Sequence, residues 1–305
     1  MADSDDQVFG EFELEDGRTL AFAECGAPAG KPVFFFQGTP STRLLHPDGA
    51  LSARMGARVI TIDRPGFGRS SFCPGRALLD WPDDVLALAD HLGIDRFAVA
   101  GISGGGPYAA ACAYRIPDRL TGAAILGGFG PVYLAEMTGG MPRERLLAIW
   151  LVRYAPWLLR PLFWLFRHPG RNPERFFDRY TAHNPPADRV FLDRPDVRAR
   201  MIDNYCEAAR QGVRGFAWEV LIVTRPWGFR LEDIRVPVHI WHGDRDTSTP
   251  LAMARAMAQA IPHSRLTILP GEGHLLLFGH WESILADLLQ GAQHFGLIEE
   301  KQARG

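Results

Sequence analysis

Apolar residues along this chain fall into short unbroken runs, and most gaps between the runs have helical apolar spacing. "VFFFQG" (33–38), "RVITID" (58–63), "FAVAGIS" (97–103), "GAAILGG" (122–128), "VPVHIWHG" (236–243) and "RLTILPG" (265–271) are the runs. Unbroken runs of this length predict strands of a sheet covered on both faces. "WPDDVLALADHLG" (81–93), "GPYAAACAYRI" (106–116) and "LAMARAMAQAI" (251–261) predict helices between them, and "WESILADLLQGAQHF" predicts a closing helix. Such alternation implies βαβ units and a largely parallel sheet. Ahead of it, "VFGEFEL" and "RTLAFAECG" flank "EDG", the pattern of a hairpin around an Asp-Gly turn.

One region breaks this rhythm. Residues 131–232 hold no convincing strand series and are rich in Trp, Phe, Arg and Pro. They are expected to form a mainly helical cap, or lid, inserted into a core made of residues 1–130 and 233–305. Its most apolar stretch, Arg145–Arg167, is interrupted by Arg153, Pro156, Arg160 and Pro161, so it is not expected to span a membrane. The alternative is a helical appendage that only packs.

The bulk numbers narrow the function classes. With 305 residues, one α/β core plus an insertion accounts for the length. A formal net charge of -2 gives no electrostatic case for nucleic acid or an anionic membrane. Cys25, Cys73, Cys112 and Cys206 lie far apart without a CxxC pair, so reduced thiols are expected rather than a disulfide framework or zinc knuckle. The acidic, polar start lacks the basic and apolar regions of a signal peptide, and a cytoplasmic location is expected.

The candidate chemistry begins at "GISGGGPYAA" (101–110), where Ser103 ends a strand and precedes a helix. Gly101 and Gly105 at minus two and plus two give the G-x-S-x-G spacing. A side chain at either place would collide with the packed strand and helix around a sharp turn. The helix start also directs unpaired amides, notably that of Gly104, at the space beside Ser103. A dinucleotide fingerprint fits poorly, since Ser103 replaces the middle glycine. A Walker loop fails for lack of its G-K-[ST] ending. A plain glycine-rich bend stays open on this string alone.

A serine nucleophile needs a base, and the base needs an orienting acid. His274, in "PGEGH" just past the last strand, is the candidate base; His280 is read as a helix residue and His263 as a surface connector. Asp246, in "WHGDRDTSTP", is the candidate acid ahead of Asp244. The loop after the first parallel strand, "QGTPSTR" (37–43), should bring a second oxyanion donor. The Thr39 amide is the candidate, since Pro40 has none. No H-E-x-x-H or comparable ligand cluster is present, and neither a metal nor a cofactor is expected. His239 and His242 lie three apart in a strand and point to opposite faces, so shared ligation is not expected.

Taken together, "FFFQGTPSTR", "DRPGFGRS", "GISGGGPYA", "WHGDRDTSTP" and "PGEGH" resemble, in order and spacing, the α/β-hydrolase superfamily, with proline iminopeptidase-like and esterase-like bacterial enzymes nearest. The resemblance covers nearly the whole chain. It implies an α/β-hydrolase fold with an inserted helical cap, Ser103 as nucleophile, Asp246 as acid and His274 as base. It also implies oxyanion-hole amides at Gly104 and Thr39. "DRPGFGRS" (63–70) is read as structural, a turn set by Pro65, Gly66 and Gly68. Two departures stand out: Gln37 occupies a place where the family usually has His, and Gly104 occupies one where proline iminopeptidases often have Trp.

These readings give a serine hydrolase of small carboxylic esters acting through an acyl-enzyme. Aminopeptidase, lactonase and carbon–carbon bond hydrolase chemistry remain alternatives, as does a ligand sensor with little turnover. Trp150, Trp164 and Trp218 are candidate substrate contacts in the cap, among other aromatics (Trp157, Phe163, Phe166) that equally suit core packing. Glu207 and Glu219 could hold a substrate amine or pair with arginines. The partner is a small-molecule substrate; monomer and homodimer both stay open.

Overall fold

The computed structural model describes residues 7–139, 141, 143–155, 172–182 and 184–290. Eight strands form one sheet: β1 (Val8–Glu13), β2 (Thr19–Gly26), β3 (Lys31–Phe36), β4 (Ala57–Ile62), β5 (Phe97–Ile102), β6 (Leu120–Leu126), β7 (Val238–Gly243) and β8 (Ser264–Leu269). Their spatial order is β1-β2-β4-β3-β5-β6-β7-β8. β1 pairs antiparallel with β2, as the Asp-Gly hairpin leads one to expect, and β2 also pairs antiparallel with β4. The remaining neighbours are parallel.

The six apolar runs are therefore the six parallel strands. Period-two alternation divides each run between two cores. Phe34 and Phe36 of β3 face a cluster with Ile60, Trp81, Val85, Leu88 and Val99. Val33 and Phe35 face the opposite one, with Val59, Ala100, Trp281, Ile284 and Leu288. Five described helices besides the insertion cover these faces: α1 (Gly49–Arg54), α2 (Trp81–His91) and α3 (Gly106–Arg115) early in the chain, with a pair near its end given below. In α3 the run Ala109–Ala113 is buried, and its small side chains let the helix sit close on β5 and β6.

Between β6 and β7 the described chain is helical: α4 (Arg143–Tyr154), α5 (Pro173–Thr181), α6 (Pro186–Leu192), α7 (Pro195–Ala208) and α8 (Arg214–Thr224). α9 (Leu251–Ala260) and α10 (Leu277–Gln290) follow β7 and β8. The closing helix begins at Leu277, four residues before the segment expected from sequence, because Leu277 is buried in the core with Trp281 and Ile284. Phe177, Leu192, Val197, Met201 and Tyr205 of the insertion pack together with Leu45 of the core. None of the four cysteines, all among the described residues, is in a disulfide. No helix among the described residues is long and apolar enough to cross a membrane.

Sheet order sets the place of the site. After β3 the chain goes to β4 on one side, and after β5 it goes to β6 on the other. Loops leaving the carboxyl ends of β3 and β5 therefore part over a crevice, where open α/β sheets bind ligands.

Candidate active site

Ser103 stands at the carboxyl end of β5 in a single 3-10 turn, Ser103–Gly105, that leads into α3. It is the one non-glycine residue with positive φ among the described residues, at 54°. A left-handed backbone at a residue with a side chain costs of order 1–3 kcal/mol and persists only where its surroundings impose it. They do so here. A Cβ at Gly101 would strike the Gly105 carbonyl, and one at Gly105 would strike the Phe36 carbonyl. The spacing of G-x-S-x-G thus has the expected steric cause. Pro107 lies in the first turn of α3, where no amide is lost from the helix.

His274 lies between β8 and α10 and lines the same cavity as Ser103. Its Nδ1 is 2.7 Å from Asp246 Oδ2, in the loop after β7. That carboxylate is fully buried and heavily bonded. Asp246 Oδ1 accepts from the Ser248 amide (2.7 Å) and the Thr249 amide (2.9 Å), while the Thr249 hydroxyl is 2.9 Å from Oδ2. Burial works against its charge, but His274 and these donors outweigh it and hold its pKa below the usual aspartate value. Asp244, the rejected alternative, instead accepts from the Gly271 amide at the surface. His242 Nε2 lies 3.8 Å from Asp246 Oδ2 and meets the Thr249 carbonyl at 3.0 Å; burial first of all keeps its pKa below 6.5. His239 is engaged elsewhere, with Asp287 and Thr267 at 2.7 Å each. The two histidines share no ligand position, and no group of metal-binding side chains occurs among the described residues.

The Thr39 and Gly104 backbones come together as the sequence led one to expect. A Cβ built on Gly104 would lie 3.4 Å from Thr39 N and would collide with Thr39 Oγ1, so glycine is required for this approach. Gly38 abuts Ser103 closely, its Cβ position being 3.3 Å from Ser103 Cβ. Gln37 contributes its backbone carbonyl, which accepts from Arg64 Nη1 at 2.6 Å. Its side chain is buried and does not line the cavity. The exchange of His for Gln therefore leaves the loop's main-chain arrangement available.

The cavity has a volume of about 490 Å³. Leu45, Ile149, Val152, Leu192, Met201 and Val220 supply much of its apolar wall, and none of the described lining residues is Asp, Glu, Lys or Arg. Two expected substrate contacts are corrected. Trp150 points outward, 54% exposed and beside Tyr154, because the phase of α4 turns Ala148, Ile149 and Val152 inward. Trp218 donates from Nε1 to the Arg76 carbonyl at 3.1 Å, outside the cavity lining. Trp164, Trp157, Phe163 and Phe166 lie outside the described residues.

Of the polar groups near the site, Asp188 and Asn204 are not singled out by sequence, while Glu207 and Glu219 read there as holders of an amine or partners of arginine. Asp188 of α6 is fully buried and its Oδ1 accepts from the Leu275 amide at 2.8 Å, next to His274. Asn204 of α7 accepts at Oδ1 from the Thr42 amide (2.8 Å) and hydroxyl (3.0 Å) and from the Ser41 hydroxyl (3.1 Å). Glu219 of α8 meets Arg64, Arg76 and Tyr108 in a buried cluster. Burial raises the cost of its charge, yet Arg64 and Arg76 more than offset this and lower its pKa. Glu207 pairs with Arg43 and Arg210. Both glutamates are thus arginine partners.

Residues 31–280 match the family described as alpha/beta hydrolase fold, and the chain belongs to that family. It is a hydrolase by that membership and by its relatives. It is 28% identical to a non-heme haloperoxidase of Rhodococcus erythropolis, over 90% of this chain and 96% of that protein. It is 26% identical to a bifunctional esterase/perhydrolase of Acinetobacter calcoaceticus, over 92% and 98% respectively. Among solved structures, a bromoperoxidase from Bacillus anthracis superposes with a TM-score of 0.69 at 23% identity, covering 93% of this chain and 100% of that one.

Proposed function

We propose that the protein is a serine hydrolase of small, neutral carboxylic esters carrying an apolar group, working through an acyl-enzyme. The observation that carries the reading is the joint presence, at one cavity, of a serine at φ 54° and a histidine bonded to a buried carboxylate. The helical insertion, residues 131–232, acts as a cap that supplies most of the apolar wall.

The chemistry follows from the geometry. Asp246 accepts from His274 Nδ1–H and leaves Nε2 as the basic nitrogen. As Ser103 Oγ attacks the ester carbonyl, its proton passes to Nε2. The carbonyl π electrons move to oxygen, and the resulting oxyanion faces the amides of Gly104 and Thr39. Collapse breaks the bond to the alcohol oxygen, which takes the proton from Nε2. Water then attacks the acyl-enzyme by the same route, giving the carboxylic acid and restoring Ser103.

The substrate class follows from the lining. An ionised acyl or alcohol group would enter a half-enclosed apolar space with no opposite charge among the described lining residues, and an unpaired buried charge is costly. The same argument disfavours an aminopeptidase. Glu207 and Glu219, the carboxylates available for an amine, are occupied by arginines.

Labelling with a fluorophosphonate, followed by turnover of a panel of esters, lactones and aminoacyl anilides, tests the reading. Labelling at Ser103 with preference for neutral esters supports it. Labelling elsewhere, or preference for the anilides, contradicts it.

A further inference from the structure

We propose that Arg64 is a positioning residue for the oxyanion hole, held in place by Glu219 of the cap, so that the cap is part of the catalytic frame. The inference rests on the reading of Ser103 as nucleophile and Thr39 as an oxyanion donor. It gives a task to "DRPGFGRS", which sequence pattern alone marks only as a turn.

Arg64 follows β4 and is 1% exposed. Its guanidinium grips three successive residues of the loop after β3. Nη1 donates to the Gln37 carbonyl at 2.6 Å, and Nη2 donates to the Gly38 carbonyl at 2.7 Å and to Thr39 Oγ1 at 2.9 Å. A planar fork with fixed donors suits this task, since one rigid group sets three acceptors at once. Thr39 then carries the amide that faces Gly104.

Glu219 fixes the other side of the fork. Its Oε1 lies 2.6 Å from Arg64 Nε, an ion-pair contact, and 3.4 Å from Thr39 Oγ1. Its Oε2 accepts from Arg76 Nη2 at 2.6 Å and from the Tyr108 hydroxyl at 2.7 Å. Two guanidiniums thus share one carboxylate, and the cluster of Arg64, Arg76 and Glu219 keeps one net positive charge in a buried setting beside the oxyanion loop. A fixed positive field there favours the negative charge that develops in the transition state.

The cap is bound firmly at this place. Gly215 of α8 meets the backbone of Gly66 so closely that a Cβ on either residue would clash. Gln211 Nε2 donates to the Ser70 and Gly68 carbonyls at 2.7 and 3.0 Å. Asn204 holds Ser41 and Thr42 in the same oxyanion loop. The loop is thus fastened from below by Arg64 and from above by the cap.

Thr39→Val, Arg64→Lys and Glu219→Gln test this, with thermal melting to confirm folding. Thr39→Val keeps the backbone amide and every charge while removing the hydroxyl that Arg64 grips, so the test stands even if the charge variants do not fold. Each folded variant is measured for kcat and KM on a neutral ester. It is also measured for affinity to an alkylboronic acid, which becomes a tetrahedral anion on Ser103, and to the neutral alcohol product. The expected result is a loss of about tenfold or more in kcat and in boronate affinity, with KM and alcohol affinity within about threefold of wild type. Wild-type kcat and boronate affinity in folded Thr39→Val and Arg64→Lys would overturn the proposal. So would equal losses of boronate and alcohol affinity, which mark general distortion. Fluorophosphonate labelling of the wild type separates the layers: no adduct on Ser103 removes the nucleophile reading and this proposal with it, whereas an adduct with unaffected variants removes the proposal alone.

Discussion

His274 Nδ1 lies 2.7 Å from Asp246 Oδ2, and the carboxylate that orients it has no solvent exposure. The two residues are 28 positions apart and reach each other from the ends of β7 and β8, which are adjacent parallel strands. With two amides, one hydroxyl and the imidazole upon it, Asp246 has a single orientation. Asp246→Asn is therefore expected to fold and to lose kcat by roughly 10⁴, because the amide no longer enforces the required imidazole tautomer. Steady-state kinetics on a neutral ester checks this; a change below about tenfold would assign the acid elsewhere.

Thr249 is expected to matter through Asp246. Its hydroxyl lies between Asp246 Oδ2 and the Gly127 carbonyl, at 2.9 and 3.0 Å. Thr249→Val keeps the shape and the backbone amide but withdraws the one hydroxyl proton available to these two buried acceptors, which costs about 1–3 kcal/mol. Chemical denaturation should show that loss, together with a fall in kcat.

Asp188 offers a sharper contrast. Its carboxylate receives the Leu275 amide beside His274, and burial raises its pKa above the usual aspartate value. Asp188→Asn keeps an oxygen acceptor and removes a charge that is costly to bury. It should retain kcat within about threefold, whereas Asp188→Ala, which orphans the amide, should lower kcat about tenfold. Equal behaviour of the two variants would show that Asp188 does not set the His274 loop through this bond.

Trp150→Ala should leave kcat and KM within about twofold of wild type, since Trp150 faces outward while Ile149 and Val152 face the cavity. Ile149→Trp, by contrast, should raise KM for larger esters by filling the pocket. A large effect of Trp150→Ala on KM would reverse this assignment of the helix faces.

Stability should fall as pH drops from about 7 to about 5, in part because of His239. Burial outweighs its bond to Asp287 and lowers its pKa from 6.5, so the folded protein keeps it neutral. Its contribution is complete above 6.5 and is lost as pH falls towards the depressed folded value, because the unfolded chain takes up the proton first. Asp63, Asp84 and Asp188, whose pKa values burial raises, act in the opposite sense. His239→Gln isolates the histidine: its melting temperature should depend less steeply on pH over this range than that of wild type. An unchanged slope would show that His239 titrates alike in both states.

The elements and the candidate site residues were legible in the sequence for the same reason. Each of Ser103, Asp246 and His274 stands just past an apolar run, and those runs are parallel strands, β5 and β7 fully buried and the edge strand β8 half-buried. The glycines around Ser103 carry a steric signature that is local. Asp188 and Asn204 carry none. Their worth lies in contacts to residues 87 and 162 positions away, and a lone polar residue in a helical pattern reads as surface. Arg64 was likewise hidden inside a turn motif. Trp150 failed for a different reason: aromatic content says nothing about helix phase, and in α4 the smaller Ala148 and Ile149 took the inward face.

The most direct test of the central claim is to quench the enzyme during turnover of a neutral ester and locate the acyl group by peptide mass spectrometry. The account predicts one acyl group, on the peptide containing Ser103, absent in Ser103→Ala. An acyl group on another residue, or steady turnover by Ser103→Ala, would contradict it.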